Sequence, residues 1–268
     1  MKKVQICLSG GGARGFAHLG VVEALIEMGI EISRYSGTSA GAMAGAFLAA
    51  GYEPRVVLDL LVENKIFRMF RGAFSRGILK MDKVETFFEQ YLPATFDGFK
   101  IPIFIAVTDI LSGKIYYISE GDVKPVVLGS CSIPGLFKPV KYKQMLLVDG
   151  GVLNNLPVEP LQNFKDTIVG VHVNPVGEIT KVSSTWSVLE RTFHLGVFSN
   201  TVYREAKCAV LIEPNELKNT KVFDYKKAKD FYTIGYNQVM SQSQEILEKL
   251  SNTDPTIKIV PSNKNKSM

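Results

Sequence analysis

Val4-Gln5-Ile6-Cys7-Leu8-Ser9-Gly10-Gly11-Gly12-Ala13-Arg14-Gly15 opens the chain with an apolar run cut off by a glycine cluster. The run reads as a buried strand and the cluster as a tight turn. From Ala13 to Met28 the residues Phe16, Leu19, Val22, Leu25 and Ile26 recur at helical spacing. Gly29 is placed to cap that helix. A second short strand spans Ile32 to Ser36, and Gly37-Thr38-Ser39-Ala40-Gly41 turns it into a helix over 40–50. That helix is nearly all Ala and Gly, so it needs close packing between other elements. Strand, helix, strand, helix is the opening of a parallel α/β sheet.

Working outward, Asp82 to Glu85 fits a helix start before Phe87, Phe88 and Leu92. Strands are expected over Ile101–Val107, Lys114–Ser119, Met145–Val148, Thr167–Val173 and Cys208–Ile212. Helices are expected from Asp122 through Gly129, over 184–207, and over 225–250. There is no internal repeat and no Pro/Ser-rich linker. The 268 residues therefore read as one domain, 1–268, with motifs over 4–175, a helical and strand portion over 180–260, and a frayed polar tail, 261–268.

Composition narrows the function classes. The chain is 46% hydrophobic, enough for a core, which argues against disorder. Lys and Arg number 31 and Asp and Glu 26, a net charge of +5. That excess is too small to imply nucleic acid. Cys7, Cys131 and Cys208 are odd in number and far apart, which argues against a disulfide framework or a zinc cluster and fits a reducing, cytoplasmic setting. The first residues hold too short an apolar run for a signal peptide, and no run reaches about 18 apolar residues, so no membrane span is expected.

Gly37-Thr38-Ser39-Ala40-Gly41 is G-x-S-x-G between a strand and a helix, the context that exposes a nucleophilic serine on a strained turn. The helix N-terminus beside it favours developing negative charge. The glycine loop has two readings. Gly10, Gly12 and Gly15 match G-x-G-x-x-G, a dinucleotide fingerprint, but that site wants an acidic residue at the end of the second strand. Glu31 sits at its start. The other reading is an oxyanion hole whose N–H groups serve Ser39, with Arg14 adding positive charge. Adjacent parallel strands deliver both turns to one sheet edge, which favours the second.

Asp149-Gly150-Gly151 ends an apolar strand, where the carboxylate is placed to accept the Ser39 proton or to orient a histidine. The histidines fit a triad poorly. His172 lies within a strand, His194 within an apolar helical run, and His18 one turn past Arg14. A Ser39–Asp149 dyad is the preferred reading.

Together these elements resemble the patatin-like phospholipase family. The matching residues are the loop from Gly10 to Gly15, the turn from Gly37 to Gly41, and Asp149-Gly150-Gly151 followed by Asn154, Asn155 and Pro157. The segment from Ser130 to Phe137 with Pro139 also matches. The resemblance implies a three-layer α/β/α sandwich with a mostly parallel central sheet. It implies Ser39 as nucleophile and Asp149 as base, with no catalytic histidine. It implies an oxyanion hole in the glycine loop (Gly10, Gly11, Gly12 and Arg14), with Gly37, Gly41, Gly150 and Gly151 in support. The implied activity is hydrolysis of lipid acyl esters with no metal or other cofactor. One departure is His172, where relatives often carry an acidic or small residue, which leaves it as a possible modulator of the dyad. Acyl transfer through the same dyad and a nucleotide-binding regulator using the glycine loop remain the rival functions.

The expected partner is a lipid or acyl ester, with no nucleic acid; the oligomeric state is left open. Residues 65–80 carry five cations and no anion, interleaved with Phe67, Met69, Phe70 and Phe74. That pattern suits either peripheral contact with the inner face of a membrane or a cap over the site. The helix around Trp186, Leu189, Phe193 and Phe198 reads as a second candidate lid or as a core-facing stripe.

Overall fold

A computed structural model describes residues 2–64, 82–182 and 184–252. The basic run 65–80 and the tail 261–268 lie outside the described residues.

Five strands run parallel in the order β3 (Ile103–Asp109), β2 (Ile30–Thr38), β1 (Lys2–Leu8), β7 (Thr167–Val171) and β8 (Val210–Ile212). Antiparallel strands β4 (Lys114–Ile118), β6 (Met145–Asp149) and β5 (Val140–Tyr142) extend the β3 side, giving eight strands in all. The mostly parallel sheet expected from the βαβα opening is present.

Alternation along the strands divides the core in two. Val4, Ile6 and Leu8 of β1 and Val169 and Val171 of β7 face the main cluster. Cys7 faces a smaller cluster with Leu156, Val158 and Leu161. The main cluster lies under α1 (Phe16–Glu27), α2 (Ala40–Ala49), α3 (Pro54–Glu63), α4 (Asp82–Tyr91) and α5 (Val123–Ser130). Every residue of α2 is buried, so its small side chains serve close packing, as its composition demands. On the far side of the sheet run residues 156–163, then α6 (Thr185–Ser199) and the short α7 (Val202–Glu205). The C-terminal α8 (Ala228–Ser241) returns to pack along α1.

Two expectations need correction, and one strand goes beyond them. The helix expected over 184–207 breaks at Asn200, whose side chain is diverted to bond Gly151 and Asn155. The helix expected over 225–250 breaks at Gln242, after which α9 (Ser243–Asn252) buries Ile246 and Leu250. Strand β5 was not anticipated. Among the described residues no helix is long and apolar enough to cross a membrane.

Candidate active site

The sheet register brings Ser39 and Asp149 together. Residues 105–109 of β3 pair with β4 along one edge. Along the other edge, β3 pairs first with β2, ending at Ala106 opposite Thr38, and next with β6, beginning at Val107 opposite Asp149. Strands β2 and β6 therefore meet end to end on one edge of β3. The residue after Thr38 is Ser39, so the candidate nucleophile leaves its strand where the candidate base arrives.

Ser39 is strained. It adopts φ 54° and ψ −119°, a left-handed region that a non-glycine residue rarely occupies. Glycines make the turn possible: a Cβ on Gly37 would lie 2.5 Å from the Gly41 carbonyl oxygen, and one on Gly41 would lie 2.3 Å from that of Leu8. The strain is held by a segment that sequence reasoning matched without assigning it a role. Ser39 N–H donates to Ser130 Oγ at 2.9 Å, and Ser130 Oγ donates to the Ala106 carbonyl at 2.7 Å. Cys131 Sγ donates to the Ser39 carbonyl at 3.5 Å, and Asp149 N–H donates to the Ser132 carbonyl at 2.9 Å. Three consecutive residues thus brace both members of the pair. Only the tertiary fold shows this, because a Ser-Cys-Ser run carries no signal of its own.

Asp149 is buried, 4% exposed, and among the described residues no cation bonds it. Burial pushes its carboxyl up to about 6, while hydrogen bonds from the Ser39 hydroxyl and the Gly151 N–H restrain the rise. The Gly151 contact measures 2.8 Å. Gly150 lets the turn press on β3, since a Cβ there would lie 2.4 Å from the Ala106 carbonyl oxygen. The result is a carboxylate that ionises near neutrality beside a serine hydroxyl, the condition for a general base.

The glycine loop closes over the same point. A Cβ on Gly10 would come within 3.3 Å of Ser39 Cβ and 2.4 Å of Asn155 Oδ1. Two of the four expected oxyanion residues serve other ends. Gly10 N–H already donates to the Asn155 carbonyl at 3.2 Å. The buried Arg14 guanidinium donates to Asn174 Oδ1 at 3.1 Å, to the Pro175 carbonyl at 3.2 Å, and to the side chain and carbonyl of Thr220. Arg14 thereby clamps the loop to its surroundings. Gly11 and Gly12 are the members whose N–H groups take no described backbone acceptor. Gly12 needs its φ of +57°, and a Cβ there would strike the Val222 carbonyl oxygen at 2.5 Å.

The dinucleotide reading loses its carboxylate. Glu31 sits at the amino end of β2, paired with Lys3 at 2.9 Å. The glycine loop follows the carboxyl end of β1, at the opposite edge of the sheet.

The histidines take structural positions. His18 is fully buried, its pKa lowered to about 4 by that burial. It is neutral, and its Nε2–H donates to the Ser9 carbonyl at 2.8 Å, steadying the loop. His172 Nδ1 lies 2.7 Å from Glu213 Oε2 and 3.3 Å from Glu205 Oε1. Burial opposes its charge, but the two glutamates outweigh it and hold its pKa above the ordinary value. Burial likewise lowers His194 to about 4. Neither His18 nor His172 bonds Ser39 or Asp149.

His172, Glu205 and Glu213 are the group of described residues spaced to hold a metal ion. The chemistry favours a hydrogen-bonded cluster. A metal on Nδ1 forces the proton onto Nε2, which is buried without an acceptor. A proton on Nδ1 satisfies the glutamates and leaves only a lone pair unpaired.

Comparison with known proteins places the chain in a family. Over 177 residues the chain is 33% identical to an uncharacterized NTE family protein of Mycobacterium bovis, covering 64% of this chain and 49% of that one. It is 31% identical over 214 residues to lysophospholipase nte1 of Aspergillus fumigatus, covering 71% of this chain and 14% of that one. The chain thus spans about half the length, or less, of these relatives. Among solved structures, VipD of Legionella pneumophila superposes with a TM-score of 0.54 at 16% identity, over 94% of this chain and 67% of that one, a likeness of fold. The sequence model of the patatin-like phospholipase family matches residues 6–161. That match takes in the glycine loop, the strained serine and the buried aspartate, and it covers more than half of the chain, which therefore belongs to the patatin-like phospholipase family.

Proposed function

We propose that the chain hydrolyses carboxylic esters of lipids, of the phospholipase A, lysophospholipase or esterase type, through Ser39 and Asp149. The observation that carries this reading is the buried Asp149 carboxylate, its pKa raised by that burial, beside the strained Ser39, where β2 and β6 meet on β3. Asp149 accepts the Ser39 proton as Oγ attacks the ester carbonyl carbon. The carbonyl oxygen becomes an oxyanion, for which the N–H groups of Gly11 and Gly12 and the N-terminus of α2 are the available stabilisers. Collapse breaks the bond to the alcohol, which leaves with the proton from Asp149. Water then gives its proton to Asp149 and attacks the acyl-enzyme. The fatty acid departs and the proton returns to Ser39.

Likeness to a lysophospholipase supports a lipid substrate. The test is release of free fatty acid from lysophosphatidylcholine and from a monomeric aryl ester. Wild type should release acid from both, and Ser39→Ala from neither. Release from Ser39→Ala at the wild-type rate would end the proposal.

A further inference from the structure

Helix α6 buries Val197 and stacks Phe198 on His172, yet turns a second apolar row outward. Val188, Thr192, Leu195 and Ser199 follow one another at helical spacing, with Leu189, Phe193 and Gly196 in the adjoining row, and all are exposed. Leu189 is 56% exposed, Val188 50% and Phe193 38%. Among its described exposed residues Glu190 alone is charged, and it falls at a flank. Arg191 and His194 turn away from that face. Arg191 donates to the Gly177 carbonyl at 2.7 Å, and His194 bonds the backbone of Asn174. Other surface helices show the usual arrangement: α3 exposes Arg55, Asp59 and Glu63, and α9 exposes Glu245, Glu248 and Lys249. An uncharged outward face on one helix marks a contact surface.

Its place indicates the contact. Asn200, just past the end of α6, donates to the Gly151 carbonyl and accepts from Asn155 N–H, both at 2.9 Å. Arg191 and His194 rest on the segment from Asn174 to Gly177, whose Asn174 and Pro175 also bind Arg14 of the glycine loop. The helix therefore spans from the Asp149 turn to the oxyanion loop along the rim of the site. Leu153, 38% exposed, continues the apolar surface beyond Gly151. Just past Asn200, at the same end, Tyr203 is exposed, with Lys207 5.6 Å over its ring. An aromatic ring with an exposed cation beside it suits a boundary between apolar and aqueous phases.

We infer that the outward face of α6 seats the protein on a lipid surface, so that the rim of the site opens onto the layer holding the substrate. The choice of lipid over a protein partner rests on the proposed function: a protein seated on this rim would crowd the entrance, whereas a lipid layer supplies the ester. The face carries no charge over its centre, so it enters an apolar layer without stripping water from ions. Attachment should therefore depend little on salt or on lipid charge.

The test uses the full chain carrying Ser39→Ala, so that binding is read without turnover, and phosphatidylcholine vesicles in co-sedimentation. Binding should persist in 0.5 M salt, where the Debye length is about 4 Å and attraction between exposed charges is largely screened. Adding Leu189→Glu and Phe193→Glu should weaken binding at least ten-fold. In the Ser39 background the same pair should leave hydrolysis of a monomeric ester unchanged. Binding that survives the pair overturns the inference, and salt-sensitive binding would move the contact to the basic run 65–80. A wild-type dimer that the pair dissolves, with no vesicle binding, would make the face a contact between copies and also overturn it. Failure of wild type to hydrolyse the monomeric ester would instead defeat the proposed function, and the vesicle result would stand.

Discussion

Two buried titratable centres sit near the carboxyl ends of the strands, and they differ in what surrounds them. Among the described residues Asp149 has a hydroxyl and one N–H for company and no cation, and burial raises its pKa to about 6. His172 has two carboxylates on one nitrogen and an aromatic ring stacked 6.0 Å away. Its Nδ1 proton is matched on the spot by carboxylate oxygens. A charge left unmatched beside a strained hydroxyl is a store of reactivity, whereas a matched one is a structural joint.

The largest expected effect strikes the first centre. Asp149→Asn should slow ester hydrolysis by about 10²- to 10⁴-fold, the usual worth of a general base. An effect under ten-fold in steady-state assays would erase the contrast. Next comes the brace. Ser130→Ala leaves the Ser39 N–H without its acceptor, a loss of about 1–3 kcal/mol for a buried donor. We expect kcat to fall about ten-fold with KM little changed. The second centre should respond in the opposite sense. His172→Ala should hold activity within about three-fold while lowering Tm by several degrees, because Glu205 and Glu213 lose their partner.

The smallest effect is in stability. The folded pKa of Asp149 lies above its ordinary value of 3.8, so the folded state gains from the protonated form. That contribution is present at low pH and is lost as pH rises from about 4 to beyond 6. Asp149→Asn should therefore raise Tm at pH 7.5, and the gain should shrink away near pH 4 in thermal melts. A gain independent of pH would mean that the buried charge is not its source.

Much of this contrast was legible in the sequence because its carriers are short and local. The apolar run Val4–Leu8, the glycines after it and the turn at Ser39 each announce their backbone shape. Strand β5 was hidden because its hairpin turns at Lys143, with φ 52°, where neither Asn nor Gly stands. The roles of Gly10 and Arg14 were hidden for another reason. The direction of an N–H depends on the acceptor that the fold supplies, here Asn155 for Gly10 and Asn174, Pro175 and Thr220 for Arg14. The meeting of Ser39 and Asp149 follows from the register of β2 and β6 on β3, which no local pattern encodes. Leu189 and Phe193 fit a helical stripe in sequence, but which side of the stripe is covered is decided by Asn200 and Arg191.

The most direct measurement is the rate of Ser39 labelling by a fluorophosphonate across pH, in wild type and in His172→Ala. With Asp149 as the base, both proteins should show one rise in rate with a midpoint near 6. Loss of labelling in His172→Ala, or a midpoint that moves with that substitution, would contradict the dyad and make His172 part of the catalytic relay.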